Sequence, residues 1–403
     1  MSSAYTNEII RLTEQNVLHT YNRFPIVFES GKGVRLKDTD GRDYLDFGSG
    51  IAVFALGYGN EVFDRALKDQ VDKLIHTSNL FYHAPLAGAA SAFISKSGMD
   101  KVFFTNSGTE AIEGAIKAAK KYAWNKDQAK DHEIIAMNSS FHGRSTGSLS
   151  VTGNAHYQDP FHPLMGGVRF ADFNDLESVK AQLSEKTIAI ILETVQGEGG
   201  IYPADPDFLR EIRKICDEKD ILLILDEIQC GMGRCGDWFA WQGYGVKPDI
   251  MTSAKALGCG VPIGAFALNE KTAGSSLVPG DHGTTCGGNP LACAAACAVF
   301  DQFDKLQVIE HVKETTPYLE KVLDELVSRH DVFESRRGLG FMQGLVVQGM
   351  NVGDLVSASL QNGLVVLSAG SNVLRLVPPL VIEKTDIDEM ACTLDRVLST
   401  VKM

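Results

Sequence analysis

Between residues 85 and 300 the chain alternates two hydrophobic patterns. Short unbroken apolar runs read as buried parallel strands: KVFF from Lys101, EIIAM from Glu133, TIAIILE from Thr187, DILLILDE from Asp220 and PIGAFAL from Pro262. Between them, apolar residues recur every 3.6 positions, as in SGTEAIEGAIKAAKKYAW from Ser107 and DFLREIRKICDEK from Asp207. This alternation predicts an α/β fold with a mainly parallel central sheet. Ligands on such sheets bind beyond the carboxyl ends of the strands.

The two ends of the chain are patterned differently. GVRLKDTDGRDYLDF from Gly33 alternates around Asp40-Gly41 and predicts a β-hairpin. After residue 305 a long amphipathic helix precedes GLGFMQGLVV from Gly338 and NGLVVLSAGSNVLRLVPP from Asn362. These predict a smaller α+β unit packed with the N-terminal hairpin. The expected organisation is an N-terminal segment, 1–65, belonging to a small domain; a large domain, 66–300; and the C-terminal part of the small domain, 301–403.

The 403 residues have room for two or three core-forming units. A net charge of -13 without a basic stripe argues against nucleic acid and anionic membranes as partners. No apolar run approaches the roughly 20 residues of a membrane span. The polar N-terminal helix lacks the apolar region of a signal peptide, so a cytoplasmic location is expected. Eight cysteines include no CxxC pair, and HExxH is absent, so no metal site is expected. Cys293 and Cys297 fit an alanine-rich helix as small core residues; Cys259 and Cys286 are candidates for partial reactivity.

One lysine is out of place. Lys255, in MTSAKALGCGVPIGA, sits among small and apolar residues with no carboxylate beside it in sequence. A solvated loop lysine is one reading. The other is a desolvated amine, which loses its proton more easily and condenses with an aldehyde. The run ILLILDE delivers Asp226 and Glu227 at the end of a buried strand. Such an acid either pairs with an arginine or holds a cationic ring nitrogen. GMGRCG from Gly231 matches a dinucleotide fingerprint, which would make the chain a nicotinamide-dependent dehydrogenase. Two acids stand where a pyrophosphate would lie, and no amphipathic helix follows, so that reading is rejected.

Ser107, Gly108 and Thr109 open a long helix after a strand. They read as an ordinary N-cap when taken alone, and as a phosphate site beside Asp226 and Lys255. In SSFHGRS, Phe141 or His142 suits stacking on a flat ring, and Arg144 suits a carboxylate. Glu198, in the glycine-rich loop of ETVQGEGG, is poorly explained as a structural acid.

SGTEA, FHGR, ETVQGEGG, LDEIQCGMGR, SAKALGCGVPIGA and HGTTCGGNP, in this order and spacing, resemble the class III aminotransferases of pyridoxal phosphate fold type I. GIAVFALGYGN, HTSNLFY and NVLRLVPPL resemble the acetylornithine aminotransferases within that class. The resemblance implies a pyridoxal 5'-phosphate cofactor on the large domain, with Lys255 joined to its aldehyde and later carrying protons. Asp226 would pair with the ring nitrogen, and Gln229 would lie near the ring hydroxyl. Ile228 and Phe141 would sandwich the ring; Ser107, Gly108 and Thr109 would hold the phosphate. Thr285 would reach the neighbouring subunit's phosphate in a homodimer with shared active sites, and Thr284 would line the substrate site.

Arg144 would take the donor's α-carboxylate and Arg375 the second carboxylate of glutamate, with Glu198 neutralising Arg375 in between. A fixed Glu198–Arg375 salt bridge is the alternative. The implied reaction moves the δ-amino group of N2-acetyl-L-ornithine to 2-oxoglutarate; succinylornithine, ornithine or 4-aminobutyrate are alternative donors. The chain departs from the family pattern at Phe54, at LGYGN, at Thr194 in place of a frequent proline, and at Cys286 in place of an aromatic.

Overall fold

Seven strands form the central sheet of the computed structural model, which describes residues 3–400. In chain order they are β1 (Lys101–Thr105), β2 (Glu133–Met137), β3 (Val168–Ala171), β4 (Thr187–Glu193), β5 (Leu222–Asp226), β6 (Ile250–Ser253) and β7 (Gly264–Leu268). Their spatial order is β1-β7-β6-β5-β4-β2-β3. Every residue of β4 and β5 is buried, which is why their sequences are unbroken apolar runs.

All the strands run parallel except β7, which is antiparallel to both β6 and β1. This corrects the reading of PIGAFAL as a parallel strand. The connection 254–263 holds only a single 3₁₀ turn, Lys255–Leu257, and is too short for the crossover a parallel return needs. β3 and β6 are additions to the predicted set. VRFA is a partly exposed edge strand carrying Arg169, and IMTS buries a threonine and a serine, so neither has a plain apolar signature.

The helix Gly108–Asp127 packs across the sheet on a face of small residues, including Ala111, Ala115, Ala118 and Ala119. Contact is close: a Cβ on Gly114 would stand 2.2 Å from the ring of Phe266 on β7. Ser107 caps this helix, its hydroxyl accepting from Glu110 N–H at 3.3 Å. Its first turn therefore sits just beyond the carboxyl end of β1. The helix Pro206–Lys219 covers the other side with Phe208, Leu209, Ile212 and Ile215.

The hairpin Arg35–Asp38/Asp43–Asp46 forms, and Phe28–Lys32 joins it as a third strand. Leu364–Val365 from the far end of the chain pairs parallel with Asp43–Asp46. A second four-stranded sheet is built from Phe333–Leu339, Met342–Val347, Val373–Leu376 and Leu367–Ala369, in that order. It follows the long helix Val308–Arg329 and carries Arg375. Among the described residues no helix is long and apolar enough to cross a membrane, and no cluster of side chains could hold a metal ion.

Candidate active site

The carboxyl ends of β1, β4, β5 and β6 open on one cavity of about 450 Å³, within the range of cofactor sites. Lys255 lines it two residues after β6 and adopts φ +46°, a left-handed conformation that a non-glycine residue holds only when its surroundings impose it. Burial drives the pKa of its amine down to about 8, against a smaller upward pull from the Glu198 carboxylate.

Asp226, 3% exposed, ends β5 with its carboxylate held on three sides. Oδ1 accepts from Ile228 N–H at 3.0 Å and from the Thr252 hydroxyl at 3.1 Å. Oδ2 accepts from His142 Nδ1 at 2.7 Å. A carboxylate has about four acceptor sites, so one remains for a cavity donor. Burial opposes charge on His142 most strongly, but the hydrogen bond to Asp226 and the charges of Asp226 and Glu193 together outweigh it and the imidazole pKa is raised. His142 is therefore a partner of Asp226, with its ring turned to the acid, and Phe141 lines the cavity beside it. Sequence spacing carries no signal for a contact across 84 residues.

Above the helix Gly108–Asp127 the hydroxyls are occupied. Ser107 Oγ caps Glu110, and Thr109 Oγ1 meets Ser145 Oγ at 2.7 Å and Ser148 Oγ at 2.6 Å. The anion-binding capacity of this corner lies in the first-turn backbone N–H groups, which have no intrahelical acceptor, and in the helix dipole. Gly108 is required by close approach: a Cβ there would stand 2.9 Å from Ile228 Cδ1.

Arg144 is exposed at the cavity wall and lies 3.8 Å above the centroid of Tyr157 and 5.5 Å from that of Phe141. Tyr157 was not among the sequence candidates; it stands on a four-residue helix, Ala155–Gln158, with no motif around it. Arg375, 3% exposed, forms an ion pair with Glu198 and donates to Gln229 Oε1 at 3.1 Å; Gln229 Nε2 in turn donates to Glu198 at 3.3 Å. Burial raises the Glu198 pKa, but the charge and hydrogen bond of Arg375, with the Lys255 charge and the Gln229 amide, together reverse this and hold the carboxyl below its ordinary value.

Thr284 Oγ1 accepts from Asn106 Nδ2 at 3.2 Å, beside the phosphate corner. Thr285 is exposed and lies outside the cavity wall. Cys259 is buried with its thiol pKa pushed up to about 11, which opposes reactivity, whereas Cys286 is exposed. The GMGRCG loop buries the side chain of Arg234, whose Nη1 donates to Phe341 O at 3.2 Å. A five-residue helix, Ala240–Tyr244, does follow it. Its first N–H groups are taken by Glu227 at 2.7 and 3.0 Å and not by a ligand.

A flat phosphorylated pyridine aldehyde fits this set. The cavity has an amine for the aldehyde, one open acceptor on a fixed carboxylate for the ring nitrogen, a helix N-terminus for the phosphate, and Phe141 and Ile228 for the ring faces. The chain matches the family model described as aminotransferase class-III over residues 17–398. It is 45% identical over 393 residues to the acetylornithine aminotransferase of Methanocaldococcus jannaschii, covering 98% of both chains. It is also 45% identical to the acetylornithine aminotransferase of Clostridium acetobutylicum, covering 94% of this chain and 97% of the relative.

A solved N-acetylornithine aminotransferase from Stenotrophomonas maltophilia superposes with a TM-score of 0.83 at 35% identity, covering 97% of this chain and 98% of that one. A Toxoplasma gondii ornithine aminotransferase, crystallised with partial occupancy of pyridoxal phosphate, superposes with a TM-score of 0.94 at 28% identity, covering 98% and 94%. The chain belongs to the class III aminotransferases, enzymes that work with pyridoxal phosphate.

Proposed function

We propose that the protein transfers the δ-amino group of N2-acetyl-L-ornithine to 2-oxoglutarate, giving N-acetyl-L-glutamate 5-semialdehyde and L-glutamate. The supporting observation is the unequal state of its two arginines. Arg144 is exposed at the cavity wall, whereas Arg375 is buried and neutralised by Glu198. A donor with one carboxylate near its far end needs only Arg144. Glutamate brings two carboxylates and needs both, so Glu198 releases Arg375 in that half-reaction.

Bound pyridoxal phosphate supplies the electron sink for the bond broken beside the transferred nitrogen. Lys255 would hold the cofactor through its aldehyde, and its freed amine would serve as the base and acid that moves the substrate's proton. Asp226, immobilised by three donors, holds the ring nitrogen's proton. The first turn at Ser107, Gly108 and Thr109 holds the phosphate through backbone N–H groups. Phe141 and Ile228 close on the two ring faces, Gln229 stands near the ring hydroxyl, and Thr284 borders the substrate.

Exposed Thr285 reaches the phosphate of a second subunit, making the working unit a homodimer. Residues 66–300 serve as the cofactor-binding domain, and 1–65 with 301–403 as the small domain that supplies Arg375. The protein acts in the cytoplasm. The 0.94 superposition on an ornithine aminotransferase favours free ornithine as the second reading.

Initial rates with 2-oxoglutarate and acetylornithine, succinylornithine, ornithine or 4-aminobutyrate decide between donors. The expected result is a kcat/KM for acetylornithine at least tenfold above that for ornithine and 4-aminobutyrate. Equal or higher values for ornithine would overturn the donor assignment.

A further inference from the structure

Glu193 ends β4, is 5% exposed and lines the cavity, yet has no cation within hydrogen-bonding distance. Burial pushes its pKa up to about 7, offset only in part by the nearby His142 charge, so what the group binds is informative. Its two oxygens divide between two loops. Oε2 accepts from the backbone N–H of Phe141 at 3.2 Å, and Oε1 accepts from the backbone N–H of Gly197 at 3.2 Å.

Phe141 lies against the cofactor cavity. Gly197 immediately precedes Glu198, the partner of Arg375. The same two loops touch at other points. Gln196 Nε2 donates to Asn138 O at 2.9 Å, and a Cβ on Gly199 would stand 2.5 Å from Ser139 O. Gly197 is pressed on Gln229, where a Cβ would meet the amide carbon at 2.6 Å, and Gln229 bridges Glu198 and Arg375.

We propose that Glu193 is a positioning residue that ties the ring-stacking Phe141 loop to the loop carrying Glu198, so that cofactor seating and the state of the Glu198–Arg375 pair are mechanically coupled. This rests on the reading of Glu198–Arg375 as the glutamate switch. A carboxylate suits the task because it offers acceptors in two directions and no donor. An amide offers one oxygen, and its NH₂ faces the second N–H, so one loop must lose its anchor. Aspartate keeps the charge but is a methylene too short to reach both loops.

The test compares the parent with Glu193→Gln and Glu193→Asp on three readouts. These are cofactor affinity of the apoprotein by fluorescence titration, and KM for glutamate and for acetylornithine in separate half-reactions. The expected result in both variants is a five- to tenfold weaker cofactor affinity, the size of one ordinary net hydrogen bond. The glutamate KM shifts by a similar factor, and the acetylornithine KM by less than threefold. In a Glu193→Gln/Glu198→Gln double variant, the effects on glutamate KM should be non-multiplicative.

Lower melting temperatures with cofactor affinity and glutamate KM within twofold of the parent would overturn the proposal, leaving Glu193 a loop anchor only. So would full rescue by Glu193→Asp, or independent effects in the double variant. If glutamate is not a substrate at all, the switch reading fails by itself. The cofactor-affinity arm then still tests the Phe141 tie.

Discussion

Replacing Glu198 by glutamine removes the one carboxylate paired with Arg375. The arginine side chain is 4% exposed and the Glu198 side chain 29%, so the pair is mostly shielded from water. Glutamine keeps a hydrogen-bond acceptor but removes the charge. A hydrogen bond to a charged group contributes about 1.5–3 kcal/mol, and glutamate must displace that interaction to reach Arg375. Once it is gone, the glutamate KM should fall about 10- to 100-fold, since about 1.4 kcal/mol is a factor of ten.

The acetylornithine half-reaction should move the other way. An un-neutralised Arg375 mis-seats a donor with a single carboxylate, and the Lys255 amine loses the charge that most supports its protonated form, taking its pKa below about 8. Single-turnover absorbance with each substrate alone separates the two effects. A glutamate KM that is unchanged or raised, with the donor half-reaction intact, would refute the switch and leave a fixed salt bridge.

Four further outcomes follow from the geometry. In the apoprotein at pH 8, Lys255 should be about half neutral and an ordinary lysine about 0.3% neutral, so an amine-acylating reagent should label Lys255 far ahead of other lysines, by peptide mass spectrometry; equal labelling counts against a desolvated amine. Asp226→Asn should lower kcat by about 10²–10³ and, by NMR titration, drop the His142 pKa below its ordinary value, since burial is then opposed only by the Glu193 charge; a pKa that stays raised breaks the Asp226–His142 link. Gly108→Ala should weaken cofactor binding about tenfold by displacing Ile228, and unchanged affinity in a titration would contradict the close approach.

Burial pushes Glu227 up to about 7, so between pH 4.5 and 7 the folded chain keeps a proton that the unfolded chain releases, and stability from this group falls as pH rises. The melting temperature of Glu227→Gln relative to the parent should therefore improve from pH 5 to pH 7.5; a pH-independent difference would refute it.

Much of the α/β organisation was readable because β4 and β5 are buried on both faces and the helix at Ser107 carries its own cap. The direction of β7 was not readable: an apolar run reports burial and says nothing of polarity, which the short link through Lys255 decides. At the site, Lys255 and Asp226 stood out because each is a charge in apolar sequence. The pairing of His142 with Asp226 was not readable because it exists only across the sheet. Tyr157 and Glu193 touch the site through contacts between separate loops, which no local pattern encodes. The Thr109 hydroxyl's contacts with Ser145 and Ser148 were not readable, because those serines lie 36 and 39 residues away.

The central claim is that Lys255 holds pyridoxal phosphate and accepts an amino group from acetylornithine. It is tested most directly by the visible spectrum of the cofactor-loaded protein before and after adding N2-acetyl-L-ornithine with no keto acid present. The account predicts a yellow protein whose visible band is lost and replaced by the near-ultraviolet band of the aminated cofactor, then restored by 2-oxoglutarate. A yellow protein that ignores acetylornithine but answers glutamate would contradict the donor, and one that cannot be made yellow would contradict the role of Lys255.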